Sequence, residues 1–501
     1  MSMELWNNLA LGLSVVGTWS NLAYCFAGVL LGTVVGVLPG VGPVVTIALL
    51  LPMTFGLPAV TAIIMLAGIY YGAQYGGSTT AILMKLPGEP SSVVTAIDGH
   101  AMAQRGEAGI ALGIAAIGSF IAGTIAAALM ALFSPTLAHF ALEFGPADNF
   151  ALMAFGLVGA VVLARGEPLK AIAMVLVGLA FGLVGTDVAS NEERMTFGLS
   201  SLADGISFVV ASMGLVGVSE IIANLEKPEG ERTFQRRIGR IWPDRAALRV
   251  AWKPILRGTG IGSLFGVLPG AGASLASFTS YSVEKKIARD PSRFGNGAIE
   301  GVAGPESANN AAAQTNFVPL LTLGLPSGAT TALLLGALTI QGIVPGPQIM
   351  EQKPDLFWGV IVSMWIGNVM LVILNLPLVG VWARMMQIPY RWLYPAILLF
   401  CAIGVYTVSN TTADVFLTAG FGLLGYVFIK LECDPAPLLL GFILGPLMEE
   451  NFRRALIITQ GDFHVFVSRP ISVTLLVAAT VLLITLLLPA IRRGREIAFQ
   501  E

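Results

Sequence analysis

The sequence contains few of the residues on which catalysis and metal binding usually depend. Its 501 residues include only three cysteines and three histidines. Cys25, Cys401 and Cys433 lie far apart without metal-ligand spacing, so we interpret them as packing residues. No histidine has a second histidine four residues away, and neither a zinc-binding HExxH motif nor a P-loop occurs. These absences argue against a zinc enzyme and against ATP hydrolysis at a P-loop, and we expect the chain not to be an enzyme.

Charged residues are scarce too, and apolar residues dominate. Only 12% of the chain is charged, against about 25% in soluble domains. Hydrophobic residues make up 55%, and the mean hydropathy is +0.79. The sequence therefore predicts an all-α polytopic membrane protein with about 12 transmembrane segments, some of them broken or re-entrant. The predicted segments are 22–38, 43–72, 108–133, 148–164, 169–185, 205–223, 256–281, 317–344, 356–380, 393–410, 413–431 and 471–490, with a shorter apolar run at 436–448.

The basic residues are concentrated between the apolar runs. Residues 224–257 contain nine Lys and Arg against four acidic residues. Loops rich in Lys and Arg stay on the cytoplasmic side, so we interpret 224–257 as a cytoplasmic linker between two membrane halves, 1–223 and 258–501. The second half carries a polar insertion at 283–316. Because basic loops flank the run 256–281 on both sides, this run is either re-entrant or a full crossing, and the charge pattern does not separate the two.

A repeated pentapeptide indicates that the two halves are related. GVLPG occurs at 36–40 and again at 266–270, and the glycines at 28, 32 and 42 recur at 258, 262 and 272. The segment 78–83 resembles 329–334, at an offset of 251 residues. We therefore predict two structural repeats, each with one helix break at GVLPG and a second at a Gly-Ser/Thr segment. Whether the repeats are inverted or parallel stays open.

Broken helices expose backbone groups that can bind ions. Free N–H groups at the start of a half-helix attract anions, and free carbonyls attract Na⁺ or H⁺. Gly, Ser and Thr also let membrane helices pack closely, which is the alternative interpretation. The predicted substrate-binding residues are Gly76, Gly77, Ser78, Thr79 and Thr80 in the first half and Pro326, Ser327, Gly328, Ala329, Thr330 and Thr331 in the second.

A polar cluster at 304–316 precedes the second of these segments. Asn309 and Asn310 at the start of an apolar run suit oxygen coordination of a hard cation. A helix N-cap followed by a polar first turn explains the cluster equally well. Asp98 and Glu107 lie in a loop-like stretch, where we expect turns and caps rather than ligands.

Five long segments resemble the large membrane subunit of the tripartite tricarboxylate transporters, the TctA family. The resemblance implies a multi-pass subunit of the bacterial inner membrane, working by secondary active symport with Na⁺ or H⁺ as coupling ion and with no other cofactor or metal. It implies as partners a small TctB-like membrane subunit, a periplasmic TctC-like solute-binding protein, a carboxylate substrate and the lipid bilayer, and no nucleic acid. The segments are 36–43, 75–109, 266–274, 304–338 and 440–472.

The resemblance also suggests roles for individual residues. The segments 76–80 and 327–331 would face the substrate. The coupling cation would be held or supported by Gly40, Gly42, Gly270, Gly272, Asn309 and Asn310. The particular carboxylate stays open, because the sequence departs from the family pattern at 314–316 and at 326–329. A carrier that works alone, without a binding protein, is the alternative function. A channel is disfavoured, since rings of like charge and a four-fold filter motif are absent.

Overall fold

The computed structural model describes residues 2–38, 42–85, 88–164, 167–187, 190–226, 238–268, 272–385 and 390–487. Within these ranges the chain is almost entirely helical, with one small hairpin in which Gly185–Thr186 (β1) pairs antiparallel with Glu193–Arg194 (β2). The all-α membrane class is confirmed, whereas the number of 12 crossings stays a prediction. Five helices are long and apolar enough to cross a membrane: Trp19–Val37, Ala108–Ala141, Phe208–Leu225, Pro354–Asn375 and Thr412–Lys430.

Three helices of the first half begin at a proline. Pro43, Pro146 and Pro168 each occupy the first turn of a helix, where the missing N–H costs nothing. A π-helical turn, Met213–Val218, joins the last two helices. The helices are α1 Ser2–Val16, α2 Trp19–Val37, α3 Pro43–Leu50, α4 Ala59–Met84, α5 Val93–Gln104, α6 Ala108–Ala141, α7 Pro146–Leu163, α8 Pro168–Gly182, α9 Phe208–Ser212 and α10 Ser219–Leu225.

The helix that leads to the second GVLPG segment begins inside the predicted linker. Asp244 caps α11 by accepting the Ala247 N–H at 2.7 Å, so the last part of the predicted linker is already helical. The division of the chain into halves stays a prediction. The helices are α11 Arg245–Val267, α12 Gly272–Ile287, α13 Glu300–Thr315, α14 Phe317–Leu323, α15 Ala329–Ile340, α16 Ile349–Gln352, α17 Pro354–Asn375, α18 Val379–Met385, α19 Tyr390–Ser409, α20 Thr412–Lys430, α21 Pro435–Ile458, α22 Val465–Ser468 and α23 Pro470–Leu487.

Glycines bring the helices into close pairs at the centre of the fold. On α2 they recur at every fourth position and therefore lie on one face, which packs against backbone oxygens of α4. A Cβ atom at Gly32 would lie 2.4 Å from the carbonyl oxygen of Ile69, so a larger residue would push the helices apart. The pairs are Gly28 with Met65, Gly32 with Ile69 and Gly36 with Ala73.

The same arrangement occurs between α11 and α13. A Cβ atom at Gly262 would lie 2.2 Å from the carbonyl oxygen of Ala308. The α13 residues that the glycines of α11 contact lie 239 residues after the α4 residues that the glycines of α2 contact. The pairs here are Gly258 with Gly304, Gly262 with Ala308 and Gly266 with Ala312.

The break after α11 turns the chain back on itself. Arg257 of α11 and Glu284 of α12 lie at similar distances from the break and form an ion pair, with Nε to Oε1 at 2.8 Å. The two helices therefore run antiparallel as a hairpin, and both pack against α13. Around the central pairs, α17 packs on α2 and α4, while α6 packs on α11 and α13. A separate group of α7, α8, α21 and α23 packs to one side.

Candidate functional site

Helix α4 and helix α14, the short helix that directly follows α13, are each followed by a loop of the same construction. Lys85 after α4 and Gly324 after α14 both adopt the left-handed conformation, with φ of 58° and 67°. The chain then starts a new helical segment through a backbone-to-hydroxyl bond. The Glu89 N–H donates to Ser92 Oγ at 3.4 Å, and the Gly328 N–H donates to Thr331 Oγ1 at 2.9 Å.

This correspondence favours a different alignment of the two predicted halves. The loop residues match at an offset of 239, the same offset that relates the partners on α4 and α13. The counterpart of 326–331 is therefore 87–92, of which the structure describes 88–92, and the predicted match of 78–83 with 329–334 is wrong. The sequence similarity between 78–83 and 329–334 rested on a short Thr-Thr pattern that recurs at a different place in the fold.

The predicted helix break at Gly76–Ser78 is also wrong. Helix α4 runs without interruption from Ala59 to Met84, so the backbone N–H groups of residues 76–80 lie inside the helix. The two glycines serve close packing instead. A Cβ atom at Gly76 would lie 2.4 Å from the Thr33 carbonyl oxygen, and one at Gly77 would lie 2.7 Å from Glu89 Cγ. A cradle of free N–H groups therefore does not form at this segment.

The hydroxyl groups of this segment bind carbonyls and a carboxylate. Thr80 Oγ1 lies 3.0 Å from the Val37 carbonyl oxygen, which is freed where α2 ends. In the second half a loop residue makes a comparable contact, with Ser327 Oγ 3.4 Å from the Gly266 carbonyl oxygen near the end of α11. Thr79 donates to the Tyr75 carbonyl oxygen within α4. These hydroxyls satisfy polar backbone groups that have no water to bind.

In each half the GVLPG break lies beside the loop that follows the long helix. A Cβ atom at Gly42 would lie 3.8 Å from the Gly88 carbonyl oxygen, and one at Gly272 would lie 3.7 Å from the Ser327 carbonyl oxygen. The starts of α3 and α12, which carry positive partial charge, are thus next to these loops. Contacts also cross between the halves, because α3 packs on α15 and α12 packs on residues 90–92. Gly40 and Gly270 lie outside the described residues.

The start of α15 combines buried and partly exposed residues. Pro326 and Ser327 are buried in the loop, and so is Thr331, whose hydroxyl also donates to the Gly328 carbonyl oxygen at 3.0 Å. Residues 328–330 are partly exposed. The N–H groups of Ala329 and Thr330 belong to the first turn of a helix of 12 residues, where intrahelical partners are missing, whereas the Gly328 N–H is taken by Thr331 Oγ1.

The two predicted asparagines point in different directions. Asn309 Nδ2 donates to Glu89 Oε1 at 2.9 Å, while Asn310 Nδ2 donates to Ser119 Oγ at 2.7 Å. Both belong to α13, a helix whose residues 301–315 are all buried although few of them are apolar. Residues 300–315 of the predicted polar insertion are therefore part of the central packing, and they occupy the place that α4 takes in the first half.

Two buried carboxylates were not among the predicted site residues. Glu306 on α13 is 0% exposed, and it contacts the hydroxyls of Ser78 and Thr95. Glu89 is 6% exposed and contacts Ser91 and Asn309. Glu306 lay in the predicted polar insertion and Glu89 between two predicted segments, so the hydropathy pattern gave no signal for either carboxylate.

A small cavity lies beside Glu306. Its volume is about 20 Å³, which is room for one water molecule or one small ion. Small-molecule sites generally occupy about 300 Å³ or more, so this cavity does not fit a carboxylate substrate. Its lining residues are Tyr75, Ser78, Thr79, Leu112, Ala115, Ala116, Ser119, Ile241, Glu306, Asn375, Leu376 and Val379.

Asp98 forms a cap, as expected from its place in the sequence. It is fully buried on α5, and its Oδ1 accepts the N–H groups of Gly295, Gly297 and Ala298 at 2.7 to 2.9 Å. Its Oδ2 accepts the Tyr281 hydroxyl at 2.9 Å. Asp98 therefore fastens α5 to the loop that leads into α13.

The chain has two interrupted helices, α2 with α3 and α11 with α12, placed around buried polar side chains. Paired interrupted helices of this kind are typical of secondary transporters, a class of membrane protein. The comparison with known families agrees with this class. The family described as "Tripartite tricarboxylate transporter TctA family" matches residues 22–440, and the chain belongs to this family. The predicted resemblance is thereby confirmed.

Two curated proteins of Agrobacterium vitis are similar to the chain. One, described as "Uncharacterized 52.8 kDa protein in TAR-I ttuC' 3'region", is 54% identical over 499 residues. The matched residues are 100% of this chain and 99% of that protein. Another, "Uncharacterized protein in TAR-II ttuC' 3'region", is 59% identical over 240 residues, which are 48% of this chain and 99% of that protein. No solved structure matches the chain.

Proposed function

We propose that the chain is the large membrane subunit of a binding-protein-dependent carboxylate uptake system in a bacterial inner membrane, driven by a Na⁺ or H⁺ gradient. Membership of the TctA family supports this proposal, since the family is one of tripartite tricarboxylate transporters. It implies a small TctB-like membrane subunit and a periplasmic TctC-like protein as partners. The observation that carries the proposal is the juxtaposition of a helix break and a loop in each half, at Gly42 with Gly88 and at Gly272 with Ser327.

We further propose that the substrate carboxylate binds at the start of α15. The N–H groups of Ala329 and Thr330 lie in the first turn of the helix, both residues are partly exposed, and Gly272 at the start of α12 lies next to the same loop. Two helix N-termini in one place favour an anion. In the first half, Gly88 and the segment 90–92 would take the role that was predicted for 76–80.

The two halves are proposed to be structural repeats. The glycine pairs of α2 with α4 and of α11 with α13 correspond, and so do the loops after α4 and α14. The contacts between halves are reciprocal, because α3 touches the second half at α15 and α12 touches the first half at 90–92. Such reciprocity is expected of a two-fold relation, in which movement of one repeat against the other exposes the site to each side in turn.

Reconstitution tests the proposed function. Proteoliposomes would contain the chain and its small membrane partner, and would take up labelled citrate or other di- and tricarboxylates under an imposed Na⁺ or H⁺ gradient. We expect accumulation only when both a gradient and the periplasmic binding protein are present. Gradient-driven accumulation without the binding protein would make the chain a carrier that works alone. Equilibration through an open pore, indifferent to any gradient, would refute coupled transport altogether.

A further inference from the structure

We propose that Glu306 is the site that carries a coupling proton, an assignment that rests on the proposed function as a gradient-driven transporter. Glu306 lies on α13, and its two carboxylate oxygens contact Ser78 of α4 and Thr95 of α5. The carboxyl group thus lies where the second half of the chain meets the first. An ionisable side chain at depth in a membrane protein is expensive to keep charged, so it needs a counter-ion or a proton.

The charged groups around Glu306 supply no counter-ion among the described residues. Asp98 on α5 is held by backbone N–H groups, and His100 Nδ1 lies 3.1 Å from the Ile82 carbonyl oxygen. On the hairpin, Arg257 of α11 binds Glu284 of α12. The remaining Lys and Arg of α11 and α12 are exposed, and α6 has no titratable side chain between Glu107 and His139.

The titratable groups that face Glu306 are a tyrosine and a second glutamate. Tyr75 of α4 lines the same cavity as Glu306. Glu89, in the loop after α4, is hydrogen-bonded to Asn309 on the same helix as Glu306. Tyr70 and Tyr71 complete the ionisable residues on this part of α4, and Tyr70 is hydrogen-bonded to Asn316. None of these groups is a cation that could neutralise an ionised Glu306.

Counting hydrogens around Ser78 favours a protonated Glu306. The Ser78 hydroxyl carries one hydrogen, yet Ser78 Oγ lies within hydrogen-bonding distance of both the Gln74 carbonyl oxygen, at 2.9 Å, and Glu306 Oε2. The carbonyl can only accept. Both contacts are hydrogen bonds at once if Glu306 Oε2–H donates to Ser78 Oγ and Ser78 donates to Gln74. Thr95 then donates to the other carboxyl oxygen.

The same count applies to the neighbouring carboxyl group. Ser91 Oγ contacts Glu89 Oε1 and also lies 2.7 Å from Asn309 Oδ1, although its hydroxyl has one hydrogen. Turning the Asn309 amide over supplies a donor to Ser91 but places an oxygen against Glu89 instead of Nδ2. In either orientation a proton on Glu89 completes the contacts. The hydrogen-bond network therefore accommodates a proton on Glu306, from the second half of the chain, and on Glu89, from the first.

The cavity beside Glu306 provides a place for a proton-conducting water. Its volume of about 20 Å³ holds one water molecule. Tyr75 and Asn375 line this cavity together with Glu306, and Tyr75 Oη and Asn375 Oδ1 are buried with no hydrogen-bond partner among the described residues. A water in the cavity would therefore lie beside all three side chains. A proton taken up through this water from the more acidic side neutralises Glu306, crosses with the substrate, and leaves to the other side when the halves have moved.

Glu306→Gln removes the titratable carboxyl group while keeping its hydrogen bonds within the fold. A glutamine amide donates to Ser78 through Nε2 and accepts from Thr95 through Oε1, so the variant keeps the hydrogen bonds of the protonated acid. Glu351→Gln, at an exposed position on α16, is the matched control. We would measure uptake into proteoliposomes with the membrane potential held at zero and a difference of one pH unit, together with exchange of labelled for unlabelled substrate without a gradient.

We expect about tenfold accumulation for each coupled proton in the wild type and in Glu351→Gln. Glu306→Gln should exchange substrate but lose accumulation. Accumulation by Glu306→Gln at the wild-type ratio would overturn the assignment. So would accumulation driven by a Na⁺ gradient alone that Glu306→Gln abolishes, because Glu306 would then be a sodium ligand.

Infrared difference spectroscopy supplies a readout that does not depend on transport. A proton on Glu306 gives a carboxylic acid carbonyl band at neutral pH, and we expect Glu306→Gln to remove it while Glu351→Gln keeps it. A spectrum in which Glu306→Gln removes only ionised carboxylate bands would contradict the proposal. If the wild type and Glu351→Gln do not transport, but the acid band is lost only in Glu306→Gln, the proposed function fails while the protonation of Glu306 stands.

Discussion

Gly262→Ala offers a quantitative test of the central helix pairing. A Cβ atom at this position would lie 2.2 Å from the Ala308 carbonyl oxygen, whereas a close C–H···O contact requires about 3.3 Å. The obstacle is backbone, so α11 and α13 must separate by roughly 1 Å along a face fixed by two further glycine contacts. Inserting one methyl group into a packed interior of this kind costs about 1–3 kcal/mol.

Gly260→Ala on the same helix is the matched control. A Cβ atom at Gly260 meets nothing within 4 Å. Both substitutions gain the same helix propensity, about 1 kcal/mol, so the difference between the variants isolates the steric cost. We expect Gly262→Ala to lower the free energy of unfolding by about 1–3 kcal/mol relative to Gly260→Ala, measured by reversible denaturation in mixed micelles. Equal stability of the two variants would show that α11 and α13 do not pack as described.

Three further predictions concern the caps, the hairpin and the start of α15. Asp98→Ala should lower the free energy of unfolding by about 2–5 kcal/mol, because several buried N–H groups lose their acceptor; a loss under about 1 kcal/mol would contradict the cap. Arg257→Ala should cost about 1–3 kcal/mol by leaving the buried Glu284 carboxylate unpaired, a figure reduced because Arg257 is partly exposed. Arg454→Ala, which removes an exposed ion pair with Glu450, should cost less than about 1 kcal/mol in the same denaturation experiment, and a ranking in the opposite order would argue against the hairpin. Thr330→Ala should reduce substrate uptake at unchanged stability, while Thr339→Ala near the end of the same helix should not; uptake equal in both variants would count against substrate binding at α15.

The sequence predicted the helix breaks better where proline was present than where glycine was. The structure confirms that helices end at Val37 and at Val267, where the GVLPG segments begin. The predicted break at Gly76–Ser78 was wrong because paired glycines also allow close helix contact, and the sequence alone does not separate the two uses. Helix α4 ends at Met84 and α14 at Leu323, each shortly before a Leu-Pro pair in the sequence, and proline cannot continue a helix.

The buried polar helix α13 was the element that hydropathy could not find. Its residues are mostly Ala, Asn, Gln and Gly, so the segment was predicted as part of a polar insertion. Its burial depends on partners that are distant in sequence: Ser78 and Thr95 for Glu306, and Ser119 for Asn310. Pairings over such separations are set by the tertiary fold. Periodicity within one segment carries no information about them.

The central claim is that the carboxylate substrate binds at the start of α15, and the most direct measurement is substrate protection of that position. Cys25 and Cys401 are buried, so Thr330→Cys can be labelled with a maleimide in a variant whose partly exposed Cys433 is replaced by Ser. We predict that a transported carboxylate slows the labelling of position 330 in a concentration-dependent manner, and leaves the labelling of a control cysteine at Thr339 unchanged. An unchanged labelling rate at position 330, in a variant that still transports, would contradict the account.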